Sequence, residues 1–330
     1  MQIHRNTEQL PDFRRAVITI GTFDGVHTGH QQIIEQLRQE AARIDGETVI
    51  ITFHPHPRKV VKGSVSGVRL INTLPEKAEL LAWKGVDRLV VCPFTEAFSQ
   101  LTAEQYVKDF LLAKFHPHTI IIGYDHQFGQ GRKGDYHLLE DFSKLENFEL
   151  QEIPVYLLNA ASVSSTRIRE AIAKGEMDTA RQLLGYDFFF SGRVVEGNKL
   201  GRTIGYPTAN LVVGDPEKLI PGDGVYAVEA AVLESPAYDV DAAGFREWKG
   251  LEGNGRLKGM MNIGVRPTVD GVRHMIEVNL FDFNGDLYGK TLRVFVKKYL
   301  RGEVKFAGLE ALKEQLANDR QNALGVLSSQ

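Results

Sequence analysis

Two histidines three residues apart, His27 and His30, lie in the run Gly21-Thr22-Phe23-Asp24-Gly25-Val26-His27-Thr28-Gly29-His30. Glycines at 21, 25 and 29 let backbone N–H groups approach an anion, and two imidazoles can donate hydrogen bonds to its oxygens. The run reads as a phosphate site with spacing suited to a triphosphate. A metal site would need a third ligand, and none stands nearby in sequence. Val163-Ser164-Ser165-Thr166-Arg167-Ile168-Arg169 puts hydroxyls and two guanidiniums at a helix start, a second place to bind phosphate oxygens. Thr52-Phe53-His54-Pro55-His56-Pro57-Arg58 adds a permanent cation in a loop stiffened by two prolines. The stretch Gly123 to Gly134 contains Asp125, Phe128 and a Gly129-x-Gly131-x-x-Gly134 string. It does not follow the first strand, so it reads as a substrate loop rather than a dinucleotide fingerprint. Each segment alone also has a structural reading, as a helix cap, a glycine turn or solvated arginines.

A second constellation lies downstream in Gly197-Asn198-Lys199-Leu200-Gly201-Arg202-Thr203-Ile204-Gly205-Tyr206-Pro207-Thr208-Ala209-Asn210. Its glycines make a phosphate flap, while Thr208 and Asn210, two apart on an extended chain, face one side and offer oxygen ligands for Mg²⁺. Glu277, in Met275-Ile276-Glu277-Val278-Asn279, shares a strand face with Asn279 rather than with the apolar Ile276 and Val278. A carboxylate so placed can accept a proton from a hydroxyl nucleophile. No Gly-x-x-x-x-Gly-Lys-Ser/Thr string occurs, which excludes a P-loop ATPase.

These residues need two kinds of scaffold. From Ala16 to about Leu184, short apolar runs (Ala16–Ile20, Thr48–Phe53, Arg88–Pro93, Thr119–Gly123, Glu152–Leu158) alternate with helical patterns (His30–Ala42, Glu76–Trp83, Ala103–Phe115). That is a Rossmann-like, doubly wound α/β domain, with helices near Thr166–Lys174 and Asp178–Leu184 closing it. After Gly185 the texture becomes β-branched and aromatic, with strands expected at Phe188–Glu196, Gly224–Leu233, Leu257–Ile263, His274–Phe283 and Thr291–Leu300. Asn284-Gly285 predicts a hairpin, Ser235–Gly255 a loop insertion, and Leu309–Asp319 a last helix. The expectation is a small antiparallel β-barrel, with domains at residues 1–185 and 186–330.

With 330 residues, 43% hydrophobic and a net charge of −3, the chain has room for two cores and no strong charge bias toward nucleic acid. A single cysteine, Cys92, permits no intramolecular disulfide and no cysteine-based zinc site, and reads as a buried hydrophobe in a reducing cytoplasm. The polar start and the lack of a long apolar run argue against secretion and against a membrane partner.

Taken together, the His27–His30 run, the Ser164–Arg169 element and the Gly-x-Pro-Thr-Ala-Asn element ending at Asn210 resemble the bacterial bifunctional riboflavin kinase and FAD synthetase family, over about residues 14–320. The chain departs from that family's pattern at His126-Gln127 and at Asn279. The resemblance implies two activities with ATP as co-substrate and Mg²⁺ as cofactor: riboflavin to FMN in the barrel, and FMN to FAD in the α/β domain. It implies catalytic roles for His27, His30, Arg167 and Glu277. ATP phosphates would meet Gly21, Phe23, Asp24, Gly25, Gly29, Ser164, Ser165 and Thr166 in one domain, and Gly197, Lys199, Gly201 and Arg202 in the other. Flavin contacts would come from Asp125, Phe128, Asn262 and Arg266, and metal ligation from Thr208 and Asn210. One rival is an adenylyltransferase for another phosphorylated metabolite carrying a non-catalytic barrel; another is a flavin carrier. A base beside a metal site argues against a passive barrel.

Overall fold

The computed structural model describes residues 1–330 except 62–66, 68, 124–125, 154–162, 198–199, 234–254, 269–270 and 329–330. At 200, 202, 266–268 and 271–273 it describes the backbone alone. The chain divides into two compact units, with the boundary between Ser164 and Ser165.

The first unit is built on β1 (Gln2–His4), β2 (Val17–Ile20), β3 (Thr48–His54), β4 (Arg88–Pro93), β5 (Thr119–Gly123) and β6 (Glu149–Ile153). All pair in parallel, in the order β1-β4-β3-β2-β5-β6. Apolar, β-branched runs such as Val17–Ile20 and Ile120–Ile122 are buried, as a sheet covered on both faces requires. The order reverses between β2 and β5, so the crevice at their carboxyl ends is where an open α/β sheet takes its ligand. Three sequence-predicted loops, 21–30, 52–58 and 123–134, leave the carboxyl ends of β2, β3 and β5 and share that edge.

The helix α1 (Thr28–Ile44) ends at Asp45 in the left-handed region. Two shorter helices follow β3, α2 (Pro57–Val60) and α3 (Leu74–Trp83), the latter opened by a Thr73–Glu76 capping box. The stretch expected as a helix over Ala103–Phe115 begins with a Thr102–Gln105 capping box and runs π-helical over Tyr106–Leu112. Several elements differ from expectation, among them the short helices Pro57–Val60, in a stretch read as a loop, and Glu96–Ser99. The edge strand β1 and the helix Tyr136–Glu146 were not anticipated, and β6 starts three residues before Glu152, with 154–158 outside the described residues. Cys92 is buried, and burial pushes its thiol pKa up to about 12, which leaves it unreactive.

In the second unit β7 (Phe189–Val195), β8 (Ala209–Val212), β9 (Gly224–Leu233), β10 (Leu257–Thr268), β11 (Gly271–Leu280) and β12 (Thr291–Arg301) close into an antiparallel barrel ordered β10-β11-β8-β7-β12-β9. Closure removes free sheet edges. Ile276, Val278, Met261 and Ile263 fill its interior, together with Phe190 and Val294. The Asn284-Gly285 hairpin is not formed: β11 pairs with β8 and β10, and β12 with β7 and β9, so that loop joins strands that are not neighbours. Barrel closure overrode the local turn signal. The last helix runs on to Ser328 rather than stopping at Asp319, because Ala323 and Leu327 bury with Met260 and Phe281 on the barrel's outer face. Asp319 there accepts from Arg301 at 2.9 and 2.6 Å.

The helices Ser165–Ala173 and Met177–Leu184, expected to close the first domain, fall in this second unit. A side chain at Gly175, between them, would meet the Tyr299 ring of β12 at 2.9 Å. The insertion expected at 235–255 lies almost wholly outside the described residues.

Candidate active sites

The turn leaving β2 is held from two later segments. The Gly21 N–H donates to the Ile51 carbonyl at 3.0 Å. The Thr22 carbonyl accepts from the Thr52 hydroxyl at 3.2 Å and from the Lys77 ammonium at 2.6 Å. Asp24, 1% exposed, accepts from the backbone N–H groups of Ile71 and Asn72 at 3.0 and 3.3 Å. Its carboxylate therefore anchors the turn from within rather than facing outward. Between these anchors Phe23, Gly25 and Val26 take φ values of 47°, 91° and 35°. For the two non-glycine residues this costs about 1–3 kcal/mol each, and it persists only because the anchors over-determine the turn.

His27 is the N-cap of α1, its Nδ1 accepting from the His30 N–H at 3.3 Å. The two imidazoles stack at 3.6 Å between centroids, and the Phe23 ring lies 4.7 Å from His30. An accepting Nδ1 leaves the His27 proton on Nε2, where it can be donated. Burial lowers the His27 pKa to about 4. Burial also holds His30 well below the usual histidine range, with the charges of His27 and Lys77 acting in the same direction. His30 Nδ1 is buried and has no hydrogen-bond partner among the described residues. At neutral pH both rings are thus uncharged. A cation is nonetheless present: Lys77, which burial brings to about 8 against the opposing pull of Asp24, keeps its proton for the most part at pH 7.

The other segments of this edge take different places. His56 caps α2 by accepting from the Arg58 N–H at 3.2 Å, and Arg58 itself is exposed. Phe128 is 6% exposed, stacked on Tyr106 at 5.0 Å and paired backbone to backbone with Gly134, so its ring is committed to the core. Asp125 lies outside the described residues. Ser164 precedes the helix Ser165–Ala173, on which Thr166 and Arg167 are exposed and Ile168 is buried.

In the barrel, cross-strand register assembles the second site. Glu277 of β11 stands directly opposite Asn210 of β8 on one side and Asn262 of β10 on the other. Side chains of such partners project from the same face, and here that face is the outer one, since Ile276 and Val278 point inward. Asn210 Oδ1 is buried with no hydrogen-bond partner among the described residues. A side chain at Gly197 would collide with the Asn210 amide, so the flap backbone sits close against that residue. Asn279, two residues along β11, donates to the Pro207 carbonyl at 2.7 Å and so fixes the residue before Thr208. Glu303 lies against Gly264, which joins the segments 301–306 and 262–268 at one place. Lys199 and the side chains of Arg202 and Arg266 are outside the described residues.

An orphaned amide oxygen, opposite a carboxylate in the ladder and two residues along the chain from a threonine hydroxyl, suits a hard divalent cation, which prefers oxygen ligands. Among the described residues no three histidine, cysteine or acidic side chains cluster as metal ligands. The residues that sequence analysis missed are Lys77 and the amides at 71–72. Lys77 was detectable: it lies three and four residues from Leu74, Leu80 and Leu81, on the buried side of its helix.

One unit thus carries a parallel sheet with a glycine- and histidine-bearing turn at its switch point, and the other a closed barrel whose ladder sets a carboxylate opposite two amide side chains. A family model described as FAD synthetase matches residues 9–167, and one described as riboflavin kinase matches 184–327. Proteins named bifunctional riboflavin kinase/FMN adenylyltransferase are 36% identical in Escherichia coli K12, over 96% of this chain and 94% of that one, and 37% identical in Listeria monocytogenes, over 96% and 93%. A solved structure from Streptococcus pneumoniae, titled a macrolide-efflux protein, superposes with a TM-score of 0.81 at 29% identity, covering 97% of each chain. Among the described residues no helix is long and apolar enough to cross a membrane. The chain belongs to the bifunctional riboflavin kinase/FMN adenylyltransferase family.

Proposed function

We infer that the two reactions of the family are divided along this chain, with adenylyl transfer in residues 1–185 and the kinase in 186–330. The chain is a riboflavin kinase and an FMN adenylyltransferase with ATP as co-substrate of both. The observation that carries the kinase assignment is the Asn210–Glu277–Asn262 row. Riboflavin's 5′-hydroxyl attacks the γ-phosphorus of ATP, its proton passes to Glu277, and ADP leaves. Thr208 and Asn210 would hold Mg²⁺, which neutralises charge on the phosphates when bound. Gly197, Lys199, Gly201 and Arg202 form the nucleotide flap, and Asn262 and Arg266 border the flavin.

In the first domain an FMN phosphate oxygen attacks the α-phosphorus of ATP and pyrophosphate leaves. That nucleophile is already an anion at neutral pH, so alignment and charge neutralisation suffice. His27 and His30 donate to phosphate oxygens as neutral imidazoles. The backbone of Gly21, Gly25 and Gly29 approaches the phosphates. Phe23, Asp24 and Phe128 enter as supports of their loops. Both reactions are placed in the cytoplasm, on small molecules, with no nucleic-acid partner. Incubation with riboflavin, ATP and magnesium, followed by chromatography of the flavins, tests this reading. FMN and FAD together support it, FAD formed only from supplied FMN removes the kinase, and unchanged riboflavin and FMN remove both activities.

A further inference from the structure

The Thr22 carbonyl carries an unusual load, accepting from the Lys77 ammonium at 2.6 Å and the Thr52 hydroxyl at 3.2 Å. Lys77 also lies 3.4 Å from that hydroxyl, which closes a triangle of donors beneath the turn. A trans peptide points its C=O and N–H in opposite directions. With the Thr22 oxygen drawn toward Thr52 of β3 and Lys77 of α3, the Phe23 N–H of the same peptide points away from those two donors. Phe23 itself holds φ 47°, a conformation its neighbours must enforce. Lys77 is 7% exposed, and its α3 follows directly on the Ile71 and Asn72 amides that grip Asp24. The segment 71–77 therefore clamps the turn at two points.

We propose that Lys77 is a positioning residue of the adenylyl-transfer site: it turns the Thr22–Phe23 peptide so that its N–H faces the triphosphate, and it sets a buried positive charge behind that peptide. The inference rests on reading the 21–30 turn as the adenylyl-transfer site. Because both histidines are uncharged, this ammonium supplies positive charge that the imidazoles do not. Its burial keeps that charge poorly screened by solvent. Lys77 acts through the loop rather than on the reacting atoms.

The test compares Lys77→Met, Lys77→Arg and His30→Ala in the full-length protein. FAD formation from FMN and ATP is assayed beside riboflavin phosphorylation and thermal unfolding. For Lys77→Met the expected result is a fall in kcat for FAD formation of about 100-fold, with KM for FMN within about twofold and the kinase unchanged. Lys77→Arg, which keeps the charge, recovers most of the loss. Lys77→Met with normal unfolding and FAD formation within about threefold of the parent overturns the proposal, as do equal losses in the Met and Arg variants, which indicate packing alone. If Lys77→Met does not fold, Thr52→Val reports instead by removing one donor to the same oxygen. A loss of about fivefold is then expected, and no change overturns the proposal. Normal FAD formation in His30→Ala defeats the reading of the turn as the active site, whereas its loss beside an unaffected Lys77→Met defeats the Lys77 proposal alone.

Discussion

Glu277 and Asn210 face each other directly across β11 and β8, 67 positions apart in sequence and adjacent in the barrel ladder. The ladder places a proton acceptor beside an amide oxygen that lacks a hydrogen-bond partner among the described residues. Replacing Glu277 with Gln keeps the shape and removes the base that the proposed mechanism requires. FMN formation should fall by about 100- to 10,000-fold, while conversion of supplied FMN to FAD continues. Separate assays of the two half-reactions check this, and equal loss of both would contradict two distinct sites.

Asn279 tests how the proposed metal ligands Thr208 and Asn210 are held. Its amide donates to the Pro207 carbonyl at 2.7 Å, next to Thr208. Asn279→Ala should raise the magnesium concentration that half-saturates the kinase by about tenfold, as loss of an orienting partner commonly does. A magnesium titration at saturating riboflavin measures it, with FAD formation from FMN as the unaffected reference.

His27 makes the first unit sensitive to acid. Its unfolded pKa is near 6.5 and its folded value about 4, so between those values the unfolded state binds more protons. Stability contributed by this group is therefore full above pH 6.5 and is lost as pH falls toward 4, by about 3 kcal/mol in all. Denaturant unfolding at pH 7, 5.5 and 4 should show this slope in the parent and a shallower one in His27→Gln. Parallel slopes would rule out the imidazole as the source.

Asp319, 1% exposed, accepts two hydrogen bonds from Arg301 and a third from Gln315 at 2.9 Å. Truncation to Ala leaves the Arg301 guanidinium, which is only partly exposed, without its countercharge. A loss of about 3 kcal/mol is expected, read from denaturant unfolding, with riboflavin phosphorylation falling before FAD formation as the temperature rises.

Much of this was legible before any fold was built. Runs such as Val17–Ile20 and Thr119–Gly123 announce parallel strands because a sheet buried on both faces tolerates little but apolar, β-branched residues. The turn that follows β2 reads as a candidate anion site because its glycines and histidines are contiguous. Signals of this kind need only neighbours in sequence, and they suffice for the α/β-then-barrel order.

Relationships between distant residues were decided elsewhere. Asn284-Gly285 satisfies the local chemistry of a hairpin, yet closure of the barrel sets β12 beside β7 and β9. Asp24 reads as a ligand-facing carboxylate until the amides of Ile71 and Asn72 occupy it. Lys77 reads as one more charged helix residue until α3 lays it under the Thr22 carbonyl. Local sequence specifies backbone preference and side-chain type, and these sufficed for the motifs and the strands. Register, burial and the protonation they impose arise only when remote segments exclude water from one another, and so the uncharged histidines, the buried lysine and the Asn210–Glu277 pair belong to the tertiary structure.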